Sequence, residues 1–413
     1  MRGAFGYEYC RTPFRAVEKE RKMITEEQIK AAEAKFGELI RNENARIEAM
    51  KKDSEVKDFS KLSHIKVGIL PGDGIGPIIM EQAVRVVNEL LKEEIASGRV
   101  ELHEIPGMTI ERRSELMESL PADVMEECKK CDVLVKGPFV TPRPGDPYPN
   151  LVSANSLLRR GLNLFAAVRP IKMPDKGIDW TFFRENIEGE YIWGNKGIEV
   201  NEDLGIDFKV CTKPGAERIA RAAFEFARKN GKTNVTVVTK SNIVKLADGN
   251  FLKTVHRIGA EEYPEIEVQD KLVDAMAAKM TDPEFNAGIQ VVVLPNLYGD
   301  IVTDVAAELQ GGLGTASSSN IGNQYALFEA IHGTAPYLMS HGRGNYANPC
   351  SLIRAMGEMM AHIGYGDRKA ILDQALEICT VTERKVVLTT ETKDASAAEF
   401  TDYLIETIQG LEK

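Results

Sequence analysis

Residues 65–91 read IKVGILPGDGIGPIIMEQAVRVVNELL: a short apolar run, a glycine-rich turn, then apolar positions at helical spacing. A strand fed straight into a helix restricts a chain to folds in which helices cover a sheet. Strand-like runs recur at Val133–Lys136, Val235–Val238 and Val291–Leu294, with helical stretches such as Gly215–Lys229 between them. That alternation predicts an α/β fold with mostly parallel pairing, and 413 residues suit two domains or one large α/β unit. The turn Gly72-Asp73-Gly74-Ile75-Gly76-Pro77 does not fit the dinucleotide fingerprint. Its spacing is GxGxGP, Pro77 opens a helix, and no ribose-binding acid closes the unit ~20 residues on. A plain tight connection and a nucleotide-edge turn both fit it. Residues 181–210, TFFRENIEGEYIWGNKGIEVNEDLGIDFKV, are rich in turn residues and read as an extended hairpin arm.

A net charge of −10 argues against a general binder of nucleic acid or of a membrane surface. No apolar run approaches the ~18 residues of a membrane span. A small anionic substrate would therefore need a local arginine cluster. Cys10, Cys128, Cys131, Cys211, Cys350 and Cys379 are scattered, which predicts a reducing, cytoplasmic setting rather than a disulfide framework. Cys128 and Cys131 form one CxxC at a helix end, whereas a redox CxxC opens a helix, so they read as structural.

Residues 2–22 carry six basic and three acidic side chains and no apolar core, so they are not a secretory signal, and the acids count against a mitochondrial presequence. They read as a tail, or as an upstream start with Met23 the first residue. Thr25-x-x-Gln28 resembles a capping box. Ile29, Ala32, Phe36, Ile40, Ile47 and Met50 then predict one amphipathic helix over residues 25–51, for packing or oligomer contact, followed by a charged linker to Ser63.

The chemistry is concentrated in NLYGDIVTDVAAELQGGLG (296–314), which follows the apolar run VVVLP. Asp300, Asp304 and Glu308 are four residues apart and share one helix face. They could complement a helix dipole, or hold a hard cation such as Mg²⁺ or Mn²⁺. In SANSLLRRGLNLFAAVRP (153–170), Ser153, Asn155 or Ser156, and Arg159 fall near one face; Arg169 and Arg184 follow. Three arginines could grip a di- or tricarboxylate bidentately. Tyr191 and Lys240 each read as structural alone, but beside a dication a lysine can act as base and a tyrosine can pass a proton.

LPGDGIGP, SxNxxxRxxLxLxxxxRP, FREN-EGEY, TKSNIVK, LVDA, NLYGDIVTDVAAELQGGLG and FEAIHGTAP occur in this order over about residues 64–400. In combination they resemble the β-decarboxylating dehydrogenases, which comprise isocitrate, 3-isopropylmalate, homoisocitrate and tartrate dehydrogenases. The resemblance implies an isocitrate/isopropylmalate dehydrogenase-like fold, not a Rossmann fold. It implies an N-terminal extension over 1–62, a large α/β domain from 63–164 and 311–413, a small α/β domain from 165–188 and 213–310, and a dimer clasp at 189–212. It further implies Mg²⁺ or Mn²⁺ held by Asp300, Asp304 and the partner subunit's Asp274. Arg159, Arg169 and Arg184 would hold substrate carboxylates, while Tyr191 and the partner subunit's Lys240 would do the proton chemistry. Active sites are thus expected to be shared across a homodimer. Nucleotide contacts are expected from Ile75, Thr141, His332, Gly333, Thr334, Ala335, Pro336, Tyr337 and Asn348.

Isopropylmalate enzymes place leucines three and four residues before the first arginine, where this chain has Ser156 and Asn155. With Ser153, that resembles isocitrate dehydrogenases. Polar groups can meet a third carboxylate that leucines would strand. Expected alternatives are homoisocitrate or 3-isopropylmalate as substrate, and, in another class, a catalytically silent regulatory subunit. NADP-specific bacterial members show Lys-Tyr after HGTAP and a later Tyr and Arg; here stand Tyr337-Leu338, Glu383 and Val387. Carboxylate repels phosphate, so NAD is expected, with NADP the alternative through His341 or Arg343 of a lengthened loop.

Overall fold

The computed structural model describes residues 24–52, 55–143, 145–173, 176–194, 196–310 and 316–412. Cys10 and the basic segment before Met23 lie outside them. Among the described residues twelve strands are formed: β1 (Ile65–Leu70), β2 (Val100–Glu104), β3 (Val133–Lys136), β4 (Ala166–Met173), β5 (Ile178–Glu185), β6 (Ile198–Asn201), β7 (Leu204–Ile206), β8 (Asn234–Thr239), β9 (Glu267–Leu272), β10 (Val291–Leu294), β11 (Ser317–Ile321) and β12 (Ala326–Ala330). Ten of them build one sheet in the order β2-β1-β3-β12-β11-β4-β5-β10-β8-β9.

At each end of the sheet four strands run parallel, β2-β1-β3-β12 on one side and β5-β10-β8-β9 on the other. Between them β12-β11-β4-β5 pair antiparallel, which reverses the strand direction from one block to the other. Mostly parallel pairing is thus found, joined by an antiparallel seam that alternation alone does not predict. Helices cover both faces of each parallel block, and that is why β3 and β10 are buried at every residue. Each fully buried Val, Leu or Ile contributes roughly 1.5–3 kcal/mol.

The first strand delivers the glycine turn as expected. Helix Gly76–Leu90 begins there with Pro77 in its first turn, and Val86, Val87 and Leu90 face the core. Asp73 locks the turn: its carboxylate accepts the Ile110 and Val140 amides at 2.7 and 2.8 Å and pairs with buried Arg113 at 2.7 Å. One expectation is corrected. Residues 181–185 are not part of an arm; they belong to β5, a buried strand in the middle of the sheet. The hairpin β6-β7 begins only at Ile198. Polar ends mislead here, because Arg184 and Glu185 are as buried as the Phe182–Phe183 pair beside them.

Thr25 caps helix Glu26–Met50, and the Gln28 side chain returns the bond to the Thr25 amide. The face that docks matches the apolar spacing only in part: Phe36 stacks on Phe208, and Ala32, Ile47 and Met50 are half-buried. Leu39 is buried, while Ile29, Phe36 and Ile40 stay at least 40% exposed. Cys128 and Cys131 are buried and unpaired, and burial pushes their thiols up to about 12 and about 11, which makes them inert at neutral pH. Among the described residues no helix is long and apolar enough to cross a membrane.

Candidate active site

The antiparallel seam places Arg169 on β4 and Arg184 on β5, and helix Asn296–Gln310 leaves β10 to pack on both strands. Gly299 is the point of closest approach, since a Cβ there would run into the Arg184 side chain. One turn of this helix therefore brings Asp300 over Arg184, and the next brings Asp304 over Arg169. Arg184 donates through Nη1 to Asp300, and through Nε and Nη2 to Asn296 Oδ1 at 3.0 and 2.7 Å. Arg169 Nη1 reaches Asp304 Oδ1 at 2.8 Å and Thr303 Oγ1 at 2.5 Å. The Tyr191 hydroxyl donates to the other Asp300 oxygen at 2.6 Å, and its ring lies 5.4 Å from the Arg184 guanidinium. Glu308 continues the row but is exposed.

Burial, followed by repulsion from Arg159 and Arg169, pushes Arg184 down to about 10. Arg169 Nη2 also lies 3.9 Å from Asp300 Oδ1, so two guanidinium groups share one carboxylate, an arrangement suited to an anionic ligand. Burial opposes ionisation of Asp300, but Arg184, the Tyr191 hydroxyl and Arg169 outweigh it and hold its carboxyl below the ordinary value. Burial and then Asp300 push the Tyr191 hydroxyl up to about 12.

Ser153 caps helix Ala154–Gly161, which carries Arg159 in its last turn. Asn155, in the first turn of the same helix, has a buried Oδ1 with no hydrogen-bond partner. Arg159 meets Glu329 on β12 at 3.2 Å, and buried Lys136, at the end of β3, meets the same carboxylate at 2.6 Å. Sequence reading passed over Lys136, Glu329 and Asn296. The available signal was a charged or amide residue ending an otherwise apolar buried run, as in VLVKGP and VVVLPN.

Lys240 and Asp274 are not part of this cluster. They pair with each other at 2.8 Å, and the Lys240 amide donates to buried Asp248 at 2.7 Å. Among the described residues no three acid, histidine or cysteine side chains converge to hold a metal within one chain.

A second set of residues meets across the sheet ends. The Ile75 amide donates to the Thr334 carbonyl at 3.2 Å, and Gly74, at φ +59°, has no room for a Cβ against Thr334. Ala335 takes the left-handed conformation that starts helix Pro336–Ser340. His332 is held neutral by burial; its Nδ1 contacts the Gly333 carbonyl at 3.0 Å and its buried Nε2 has no partner. Tyr337 is exposed, and its ring lies tilted against His341 with centroids 4.2 Å apart. Thr141 is exposed after β3, and Asn348 Oδ1 accepts the Cys350 amide at 2.9 Å. Arg343 is held on the Thr390 carbonyl and on Glu391, both at 2.7 Å. Glu383 accepts the Tyr403 hydroxyl at 2.7 Å and Lys385 at 2.6 Å.

The family model for isocitrate/isopropylmalate dehydrogenase matches residues 66–408. The chain is similar to subunit 2 of a mitochondrial NAD isocitrate dehydrogenase of Schizosaccharomyces pombe, at 38% identity over 75% of this chain and 79% of that protein. It is also similar to a homoisocitrate dehydrogenase of Methanocaldococcus jannaschii, at 34% over 78% of this chain and 91% of that one. A regulatory subunit of the mitochondrial NAD isocitrate dehydrogenase of Dictyostelium discoideum matches at 36%, over 83% and 92% of the two chains. The crystal structure of isocitrate dehydrogenase from Methylococcus capsulatus superposes with a TM-score of 0.72 at 33% identity, covering 84% of this chain and 99% of that one. The family match and these relatives place the chain in the class of oxidatively decarboxylating dehydrogenases. The chain belongs to the isocitrate/isopropylmalate dehydrogenase family.

Proposed function

We propose that this protein oxidises and decarboxylates isocitrate to 2-oxoglutarate and CO₂ with reduction of NAD, in a metal-dependent reaction carried out by a homodimer with shared active sites. The observation that carries this reading is that Arg169 and Arg184 share the Asp300 carboxylate, with Arg159 near enough to repel Arg184 and on the same short helix as polar Asn155, capped by Ser153. Three guanidinium groups match three carboxylates, and a polar border suits a third carboxylate better than an isopropyl group.

Asp300 and Asp304 offer hard oxygen donors one helical turn apart, which fits Mg²⁺ or Mn²⁺, with the partner subunit's Asp274 completing the set. When bound, such a cation supplies Lewis-acid polarisation of the substrate oxygens. Arg159, Arg169 and Arg184 orient the carboxylates. The partner subunit's Lys240 takes the hydroxyl proton, and Tyr191, protonated at neutral pH, returns a proton from its hydroxyl to carbon. Exposed Ile243 and Leu246 beside Lys240, and Ile301 and Val305 beside Asp300 and Asp304, support burial of these segments against a second copy.

Gly74–Ile75 and the 332–337 loop form the nucleotide edge. With Arg343 engaged by Glu391 and with Glu383 in the neighbouring segment, this region favours NAD over NADP. The intact Tyr191, Lys240 and Asp300 speak for a catalytic chain, although a regulatory subunit lies among its relatives. Initial rates with isocitrate and Mg²⁺, run with NAD and NADP in parallel and with an EDTA control, test the reading. EDTA-sensitive reduction of NAD supports it. Turnover only with homoisocitrate or 3-isopropylmalate reassigns the substrate, and no turnover with any of the three leaves a silent subunit.

A further inference from the structure

Helix Glu26–Met50 precedes the part of the chain that the family model matches, yet it is seated directly behind the site. Lys35 donates to the Gly197 carbonyl at 2.7 Å, Phe36 stacks on Phe208 at 5.1 Å, and Leu39 enters the core cluster that contains Ile192 and Trp193. Near its end, Arg46 Nη2 lies 2.5 Å from Glu188 Oε1.

Glu188 is 3% exposed, and it is a junction. Its carboxylate accepts the Thr212 amide at 2.8 Å and the Thr212 hydroxyl at 2.6 Å. Its backbone amide donates to Glu185 at 2.5 Å. Its carbonyl accepts Asn296 Nδ2 at 3.0 Å, and the same Asn296 side chain accepts both Arg184 bonds. Three residues on stands Tyr191, bonded to Asp300. The charged groups around the small cavity at Glu188 are Glu185, Lys209 and Asp248, while Arg218 faces Glu185 at 3.9 Å. Lys209 is committed to Asp248 at 2.6 Å and to Glu190 at 3.3 Å. Arg46, which also pairs with Glu43, is thus the guanidinium that the N-terminal helix sets on Glu188.

We propose that Arg46 is a positioning residue for the active site: the N-terminal helix supplies the counter-charge that fixes Glu188, and Glu188 in turn fixes the turn carrying Tyr191 and the Asn296–Arg184 contact. Without Arg46 the Glu188 carboxylate stays buried beside Glu185 and loses its ion pair, so its turn must shift. The helix is then part of the site's scaffold rather than a brace on the outside.

The test uses the full-length chain with R46Q, R46K and K35Q, the last removing a different contact of the same helix. Hydrogen exchange over residues 186–194 is the first readout. R46Q should speed exchange there about tenfold or more, R46K should restore most of the protection, and K35Q should leave it unchanged. The second readout is kinetic: KM for the tricarboxylate should rise about tenfold in R46Q, with KM for the nucleotide unchanged. That arm rests on the isocitrate reading, whereas the exchange arm does not, so a wrong substrate and a wrong role for Arg46 give different results. Unchanged exchange at 186–194 in R46Q, or equal effects of R46Q and K35Q, overturns the proposal. Should R46Q not fold, the double change R46Q/E188Q, which removes the stranded charge, is expected to fold; its failure also overturns the proposal.

Discussion

The Tyr191 hydroxyl and the Arg184 guanidinium donate to opposite oxygens of one carboxylate, that of Asp300. Asp300 sits between a proton donor and an anion-binding arginine. In the free chain the carboxylate proposed to hold a metal therefore also occupies the arginine proposed to hold the substrate.

Removing that competition should be measurable. Asp300→Asn leaves Arg184 without its ionic partner, so binding of a tricarboxylate in the presence of EDTA should tighten about tenfold, or about 1.4 kcal/mol. Turnover with Mg²⁺ should fall by a factor on the order of 10² or more. Calorimetry and initial rates read the two effects separately, and unchanged metal-free binding would refute the competition.

Tyr191→Phe removes the donor and keeps the ring under Arg184. A lost general acid costs roughly 10²- to 10⁴-fold in kcat. The KM for the tricarboxylate should change by less than about threefold, because the three arginines remain. Since burial and Asp300 push this hydroxyl to about 12, the kcat/KM profile of the wild-type chain should show no alkaline limb from Tyr191 below about pH 10.

Gly74→Ala would force a Cβ against the Thr334 carbonyl from a backbone at φ +59°. The strain is on the order of 1–3 kcal/mol and falls on the proposed nucleotide edge. The KM for NAD should rise while tricarboxylate binding stays the same. Equal losses for both ligands would mean that the turn serves the whole fold rather than this edge.

Acid stability should depend on His362. Packed against Phe59 at 5.1 Å and Phe328 at 5.5 Å, it is held neutral by burial, which lowers its pKa to about 4. The unfolded chain takes up this proton near pH 6.5. The stabilisation is thus complete above about 6.5 and is lost as pH falls through about 4. Melting temperatures measured from pH 7 down to 4 should drop less steeply in His362→Leu than in the wild type.

Nucleotide choice can be probed at Glu391, which holds Arg343 at 2.7 Å. Glu391→Ala frees that guanidinium and should raise kcat/KM with NADP relative to NAD, by about tenfold if one ion pair of ~1.4 kcal/mol is gained with the 2′-phosphate. An unchanged ratio in initial-rate assays would show that the loop does not reach that phosphate.

The α/β class, the strand runs and the helix-borne Asp300–Asp304 pair were legible in the sequence because they are local: a 2.0 or 3.6 periodicity is written into consecutive residues. The arginine set and the glycine turn could be found in the same way. Three things were not legible. The antiparallel seam arises from which strands become neighbours, a choice made by packing between segments far apart in the chain. Glu329 and Lys136 look like isolated charges until β3 and β12 pair and bring them to 2.6 Å beside Arg159. Lys240 and Asp274 meet each other rather than Asp300 within one chain, since adjacent β8 and β9 deliver them together. Residue types fix what chemistry is available. Only the close approach of distant backbone, at Gly299 over Arg184 and at Gly74 against Thr334, decides which groups face one another.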